Sequence, residues 1–450
     1  MSTSCCQVSI IATGLRVSSV CIDGFNLAMA KGSGIATYSR NLLSAFSDCG
    51  IDGQVLYGPP GNDSRKISEV TLADAERPLA KVRKFDRFKR TLLSQQGRTA
   101  FPIIPSDKVI WSSRGGGRPE AGCFWAAGDL FHYAHRCFQA YGRVTPVSFV
   151  GEADQVPDAV QWTATLPLYA PKKINVYTIH DLIPLRLPHS TMEDKQKYKL
   201  LCDEISKRAD HIAVVSETTK RDVVELLGVS PDRITTTYQS VTIPKEIVER
   251  SASEVALEIE GVFDLGWKDY FLYFGAIEPK KNVGRIVEAF LASGVDRPLV
   301  IVGGRAWLEE GEVALLDQVQ RDGTPAGKRI RRYEYMPYRL LVSLIRGARA
   351  TLFPSLYEGF GLPVLESMLL ETAVLTSTAG SLPEVAGEAA LMVDPYDVPG
   401  ITKGIQALAF DDDLVADLVA RGRARATLFT PEAHANRVRG MYERLGVLKV

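Results

Sequence analysis

The sequence predicts an α/β protein of two domains, each built on a parallel sheet with helices on both faces. Three observations predict it. The chain has 450 residues, more than one hydrophobic core usually serves, so two domains are expected. Continuous apolar runs alternate with segments of helical period, the pattern of strands buried on both faces. The alternation breaks at residues 249–267 (ERSASEVALEIEGVFDLGW), which carry no strong apolar period and read as a linker.

In the first half, residues 19–23 read as a strand, followed by a glycine turn and a helix over about 35–47. Residues 174–179 (INVYTI) form a strand ending at His180-Asp181, and 211–216 (HIAVVS) another, with a helix over 218–228. Residues 77–171 break this rhythm and read as an insertion. In the second half, strands are expected at 270–275, 298–303, 350–353, 373–377 and 390–394, with helices at 282–293, 340–345 and 362–370 between them. The predicted domains are 1–250 and 265–428, with a final helical segment in 429–450.

Lys+Arg and Asp+Glu both number 53, so the net charge is zero, and a duplex nucleic-acid partner is not supported. The seven cysteines, Cys5 and Cys6 among them, lack metal-ligand spacing and read as reduced thiols. The apolar run at 8–15 has no preceding positive charge, so no signal peptide is expected. It is also shorter than the roughly 20 apolar residues of a membrane helix. The expected location is cytoplasmic.

Four motifs carry chemistry. Tyr357-Glu358-Gly359-Phe360-Gly361-Leu362 runs from a strand through a glycine turn into a helix, with Glu366 one turn in. Backbone N–H groups there can face an anion, and the helix N-terminus adds a positive dipole. Glu366 suits sugar hydroxyls better than phosphate, and Glu358 lies at a strand's carboxyl end, where open α/β sheets bind ligands. The plain alternative is a structural turn with a capping glutamate. The second motif, Gly275-Ala276-Ile277-Glu278-Pro279-Lys280-Lys281-Asn282, places two lysines before a helix, able to neutralise a diphosphate or simply solvated. The third, His180-Asp181, follows a buried strand, and its histidine could equally be a core residue bonded to backbone. The fourth, Gly32-Ser33-Gly34, opens a helix but lacks the third glycine of a dinucleotide fingerprint. Asp411-Asp412-Asp413 precedes a helix, where the dipole explains it without a metal.

Taken together, GAIEPKKN, VIVGGRAW, PSLYEGFGLPVLESM and AGSLPEVAGEAALMVDPYD, with GSGIATYSRNLL, NVYTIHDLIPL and ADHIAVVSETTKRDV upstream, resemble family 4 retaining glycosyltransferases. The resemblance implies a GT-B fold, two Rossmann-like domains facing a cleft. The C-terminal domain would bind a nucleotide sugar and the N-terminal domain the acceptor, with the last helix packing back across both. It implies that Lys281 contacts the donor diphosphate and that Gly359, Phe360 and Gly361 lend backbone to the phosphate or sugar. Glu366 would hold the ribose, Glu358 would face the transferred sugar, His180 would lie near the reaction centre, and Gly34 would approach the phosphates. No cofactor and no catalytic metal are implied, and the departing diphosphate can itself take the acceptor proton. Two departures stand out. Ala276 replaces a frequent arginine, so Lys280 or Arg305 would supply the second phosphate cation. Glu371 stands where relatives often have glycine. The variants resemble bacterial polysaccharide and O-antigen enzymes, which makes mannose from GDP-mannose the first expectation, with rhamnose, glucose or fucose as others. A nucleotide-sugar epimerase or hydrolase, or an inactive binding subunit, is the alternative class. Finally, residues 81–90 (KVRKFDRFKR) carry six cations and one acid. They suit an anionic membrane surface and a lipid-linked or oligosaccharide acceptor, or else form a solvated basic segment.

Overall fold

The computed structural model describes residues 17–28, 34–59, 97–105, 117–304 and 310–448. Arg305, the Gly32-Ser33 pair and the basic segment 81–90 lie outside the described residues.

The described residues form two sheets. The first contains β1 (Ser19–Asp23), β2 (Asp52–Tyr57), β3 (Arg98–Ile103), β4 (Cys123–Ala126), β5 (Thr145–Phe149), β6 (Ala159–Trp162), β7 (Leu168–Tyr169), β8 (Ile174–Ile179), β9 (His211–Val214) and β10 (Ile234–Thr236). Their order is β10-β9-β8-β6-β1-β2-β4-β3-β5-β7. The second contains β11 (Phe271–Phe274), β12 (Leu299–Val302), β13 (Ile330–Tyr333), β14 (Ala350–Phe353), β15 (Ala373–Ser377) and β16 (Leu391–Val393), ordered β13-β12-β11-β14-β15-β16. The recorded pairings are parallel except β3 with β4. Strands such as LVIV in β12 and ATLF in β14 are buried at every position, which is why they read as unbroken apolar runs.

Two expectations need correction. The stretch read as an insertion supplies strands to the first sheet itself. β6 lies between β1 and β8 in parallel register, so the sheet would be cut in two without it. The stretch read as a linker contains the helix Ala252–Phe263, started by a Ser251/Glu254 capping box. Val255, Ile259 and Phe263 recur every four residues and are buried, while Leu257 and Val262 are exposed and blur the period.

The helix Pro431–Arg444 returns to the first domain. The Tyr442 hydroxyl donates to Gln161 Oε1 in β6 at 2.7 Å, and its ring meets Phe46 edge-on at 5.6 Å. Two members of the Asp triplet have contacts at the helix start. Asp411 accepts the Leu414 N–H at 2.8 Å, and Asp412 pairs with Arg349 at 2.6 Å. No helix among the described residues is long and apolar enough to cross a membrane.

Candidate active site

Neighbouring strands deliver the site from their carboxyl ends, the ligand-binding edge of open α/β sheets. β1, β6 and β8 end at Asp23, Trp162 and Ile179, leading into Gly24, Thr163 and His180. In the second sheet β11 leads into the 275–282 loop and β14 into the 354–361 loop.

Lys280 and Lys281 close a single 3-10 turn, Pro279–Lys281, and Asn282 follows with φ of 63°. The Asn282 side-chain amide donates to the Pro354 and Pro395 carbonyls at 2.8 and 2.7 Å. Leu356 N–H donates to the Lys280 carbonyl at 2.7 Å. These bonds fasten the two loops together. Lys281 Nζ then lies 2.5 Å from Glu358 Oε1, a pair largely shielded from solvent. Burial would raise the Glu358 carboxyl, but Lys281 and Lys280 outweigh it and hold Glu358 below the usual carboxylate range. Lys280 Nζ lies 3.5 Å from Glu278 Oε1. Burial disfavours its charge, yet Asp181, Glu358 and Glu278 together hold it above the ordinary lysine value. Both loops are therefore charged, with cations and carboxylates interleaved.

The helix Leu362–Leu369 starts at Gly361, whose φ is 104°, and no side chain caps it. Pro363 has no N–H, and the Val364 N–H already donates to the Gly361 carbonyl at 3.0 Å, so the Leu362 N–H at the head of the helix is the backbone donor left for an anion. Phe360 turns inward: its ring packs against Tyr238 and Phe429 at 6.4 and 5.6 Å, so only its backbone is placed to meet a ligand. Glu366 sits one turn along, and among the described residues no hydrogen bond to its carboxyl is recorded. Burial pushes it up to about 7, with Lys281 partly offsetting the rise. A desolvated carboxyl in the field of Lys281, with no recorded hydrogen-bond partner among the described residues, is prepared to accept hydroxyl donors from a ligand.

Across the cleft, His180 Nε2 lies 2.8 Å from the Thr163 carbonyl. A carbonyl only accepts, so Nε2 carries the proton in the neutral ring and Nδ1 is left as an acceptor. Burial lowers the His180 value, with the Thr163 bond and Asp181 opposing it, so the neutral form prevails at neutral pH. Tyr38 packs edge-on against the ring at 4.9 Å. Behind Thr163 stands Asp23, whose Oδ2 accepts the Thr163 N–H at 2.5 Å and hydroxyl at 2.9 Å. Burial raises Asp23 to about 6 against those bonds. Asp23 carries no signal in the sequence, because nothing local distinguishes a strand-terminal aspartate whose partner lies 140 positions away.

The two halves meet closely. A methyl placed on Gly359 would lie 2.2 Å from the His180 carbonyl oxygen. One on Gly34, at the start of the helix Gly34–Asp48, would lie 3.6 Å from Leu362 Cδ1. Gly34, His180, Lys280, Lys281, Glu358, Gly359, Gly361 and Glu366 thus gather around one cleft. A cavity of about 460 Å³ continues from it, bounded by Ile35, His180, Asp181, Glu193, Tyr198 and Lys280. Among the described residues no group of three or more His, Cys, Asp or Glu side chains converges as a metal site.

Two parallel-sheet domains with their charged loops apposed at the carboxyl edges define the GT-B class of sugar-transferring enzymes. The chain belongs to the family 4, group 1 glycosyltransferases. The family model described as "Glycosyl transferases group 1" matches residues 263–425, and "Glycosyltransferase Family 4" matches 156–243. O-antigen chain mannosyltransferase B of Escherichia coli is 33% identical over 272 residues, 59% of this chain and 69% of that protein. Serotype-specific mannosyltransferase WbdA of E. coli is 25% identical over 277 residues, 60% of this chain but only 33% of that larger protein. Among solved structures, Anabaena HepE in complex with UDP and glucose superposes with a TM-score of 0.63 at 13% identity, covering 96% of this chain and 100% of that one.

Proposed function

We propose that this glycosyltransferase moves mannose, with retention of configuration, from GDP-mannose to a growing, lipid-linked surface polysaccharide. The observation that carries the transfer chemistry is the Lys281–Glu358 pair beside the uncapped N-terminus of Leu362–Leu369, facing a neutral His180. Lysine charge and the helix N-terminus stabilise the leaving diphosphate where negative charge develops. Glu366 holds the ribose, and Glu358 faces the transferred sugar. The departing diphosphate takes the acceptor proton, so no protein base is required. The lysine pair supplies the counter-charge that a metal would otherwise bring, and transfer is expected to persist in excess chelator. Mannose is favoured because the two sequence relatives named above, both from E. coli, are mannosyltransferases.

The test is a panel of nucleotide sugars assayed with mannan-type and polyprenyl-diphosphate-linked acceptors, with donor hydrolysis measured in parallel. Preferred turnover of GDP-mannose with acceptor supports the reading. Hydrolysis alone, conversion of the donor without transfer, or binding without turnover assigns the chain to a hydrolase, an epimerase or an inactive subunit. The basic segment 81–90 is proposed to hold the enzyme at anionic headgroups, each cation contributing about 1 kcal/mol near the surface. Co-sedimentation with anionic vesicles should occur at low salt and disappear at high salt. Binding that survives replacement of those basic residues would remove the electrostatic account.

Glu366 gives a pH-dependent result. Ribose hydroxyls donate to the ionised carboxylate, so nucleotide binding should lower its value from about 7 and release a proton. Wild-type nucleoside-diphosphate affinity, taken relative to Glu366→Gln to cancel phosphate titration, is expected to rise as pH increases through about 7. In the free protein the sign is opposite. The raised value contributes stability below about 4.5 that is lost as pH rises through about 7. Calorimetry in buffers of different ionisation enthalpy reads the released proton. An identical pH profile in Glu366→Gln would remove the ribose role.

A further inference from the structure

The segment 380–384 joins the two domains at the site. At one end it grips the donor loop. Ser381 Oγ lies 2.9 Å from the carbonyl oxygens of both Glu358 and Phe360, and Ser381 N–H donates to the Glu358 carbonyl at 3.2 Å. Gly380 has φ of 60°, and a methyl there would lie 2.8 Å from Glu358 N and O. At the other end, Glu384 reaches the first domain. Its Oε1 accepts the Glu217 N–H at 2.7 Å, and Oε2 accepts the Thr218 N–H at 3.0 Å and hydroxyl at 3.1 Å.

Those N–H groups open the helix Glu217–Leu227 and have no partner within it. The local cap, Ser216, already takes the Thr219 N–H at 3.0 Å, so the first two donors are left for a group from elsewhere. A carboxylate at a helix N-terminus gains from both the hydrogen bonds and the dipole. At the next residue, the Thr219 hydroxyl lies 3.1 Å from the His180 carbonyl and 3.4 Å from the Gly359 carbonyl, touching both halves of the site. Tyr357, next to Glu358, bonds through its hydroxyl to Asp222 on the same helix, and Asp222 is paired with Arg186 at 2.7 Å. The cross-domain seam is therefore polar, and it bonds directly to the backbone of His180, Glu358, Gly359 and Phe360.

We infer that Glu384 is a positioning residue: by capping the helix Glu217–Leu227 from the opposite domain, it sets the separation between His180 and the Lys281–Glu358 loops. The inference rests on the proposed transfer reaction for its kinetic consequence but not for its geometric one. Glu384→Gln removes the charge and presents an amide N–H to a backbone donor, so the seam loses its anchor while each domain keeps its own core. The cleft should then spend more time open.

The test compares wild type, Glu384→Gln and the milder Thr218→Val, which removes the hydroxyl contacts to Glu384, the Gly380 carbonyl and Arg221 but keeps both backbone N–H bonds to Glu384. Small-angle scattering reads the separation through the radius of gyration, calorimetry reads nucleoside-diphosphate affinity, and steady-state assays read kcat. For Glu384→Gln we expect a larger radius of gyration, a kcat at least tenfold lower, nucleoside-diphosphate affinity within threefold, and a nearly unchanged melting temperature. Thr218→Val should shift the radius and kcat in the same direction by less. An unchanged radius with unchanged kcat would overturn the inference, as would a fall in kcat that merely tracks a lower melting temperature. Should the wild type itself transfer no sugar from any donor, the proposed function fails on its own, and the scattering comparison still decides the role of Glu384.

Discussion

Lys281→Ala is expected to lower kcat/KM by roughly 100- to 1,000-fold, the loss of about 2.7–4 kcal/mol of transition-state stabilisation that follows removal of one preorganised charge partner. The lysine sits 2.5 Å from Glu358 and is fixed by the Asn282 clamp, so its charge is in place before substrate arrives. Its removal also leaves the shielded Glu358 carboxylate without its nearest cation. Breaking such a pair from one side costs about 3–5 kcal/mol in a fully buried setting, and the partial exposure here reduces that figure. The double variant Lys281→Met/Glu358→Gln separates the two effects: it should recover most of the stability and none of the activity. Near-normal kcat/KM in folded Lys281→Ala would remove the leaving-group role.

Gly359→Ala is expected to reduce kcat by about 100-fold, the scale of an ångström-level misplacement of reacting groups. The added methyl would lie 2.2 Å from the His180 carbonyl oxygen and 2.9 Å from Asp181 Cβ, both in the opposite domain. Neither is the end of a flexible side chain, so the apposed loops must separate. Nucleotide affinity should change little, because Lys281 and Glu366 lie within one domain. Scattering should show a more open molecule. Wild-type turnover by Gly359→Ala would mean that the loops need not approach this closely during reaction.

The parts of the site visible in the sequence are those whose chemistry is local. EGFG, EPKKN and His180-Asp181 each follow a strand, and a parallel sheet brings such loops to one edge. The frequent glycine replaced by Glu371 also has a physical explanation: Glu371 has φ of 57°, the left-handed region where glycine is free of strain, and its side chain pairs with Arg423 at 2.8 Å. What the sequence hid depends on distant partners. Glu384 reads as an ordinary helix acid, and its two backbone donors lie 167 and 166 positions away. Asp23 supports His180 only through Thr163, and the Asn282 clamp requires both loops to be folded. The helix Ala252–Phe263 shows no clear period in the sequence because its three buried residues share the segment with exposed Leu257 and Val262.

The most direct test of the account is the anomeric course of the reaction. Purified protein is incubated with GDP-α-mannose and an oligomannoside acceptor, and the first product is read by proton NMR before further elongation. The expected product is α-linked mannose, formed at a rate that collapses in Lys281→Ala. A β-linked product would contradict retention, and equal rates in the two proteins would contradict leaving-group stabilisation by Lys281.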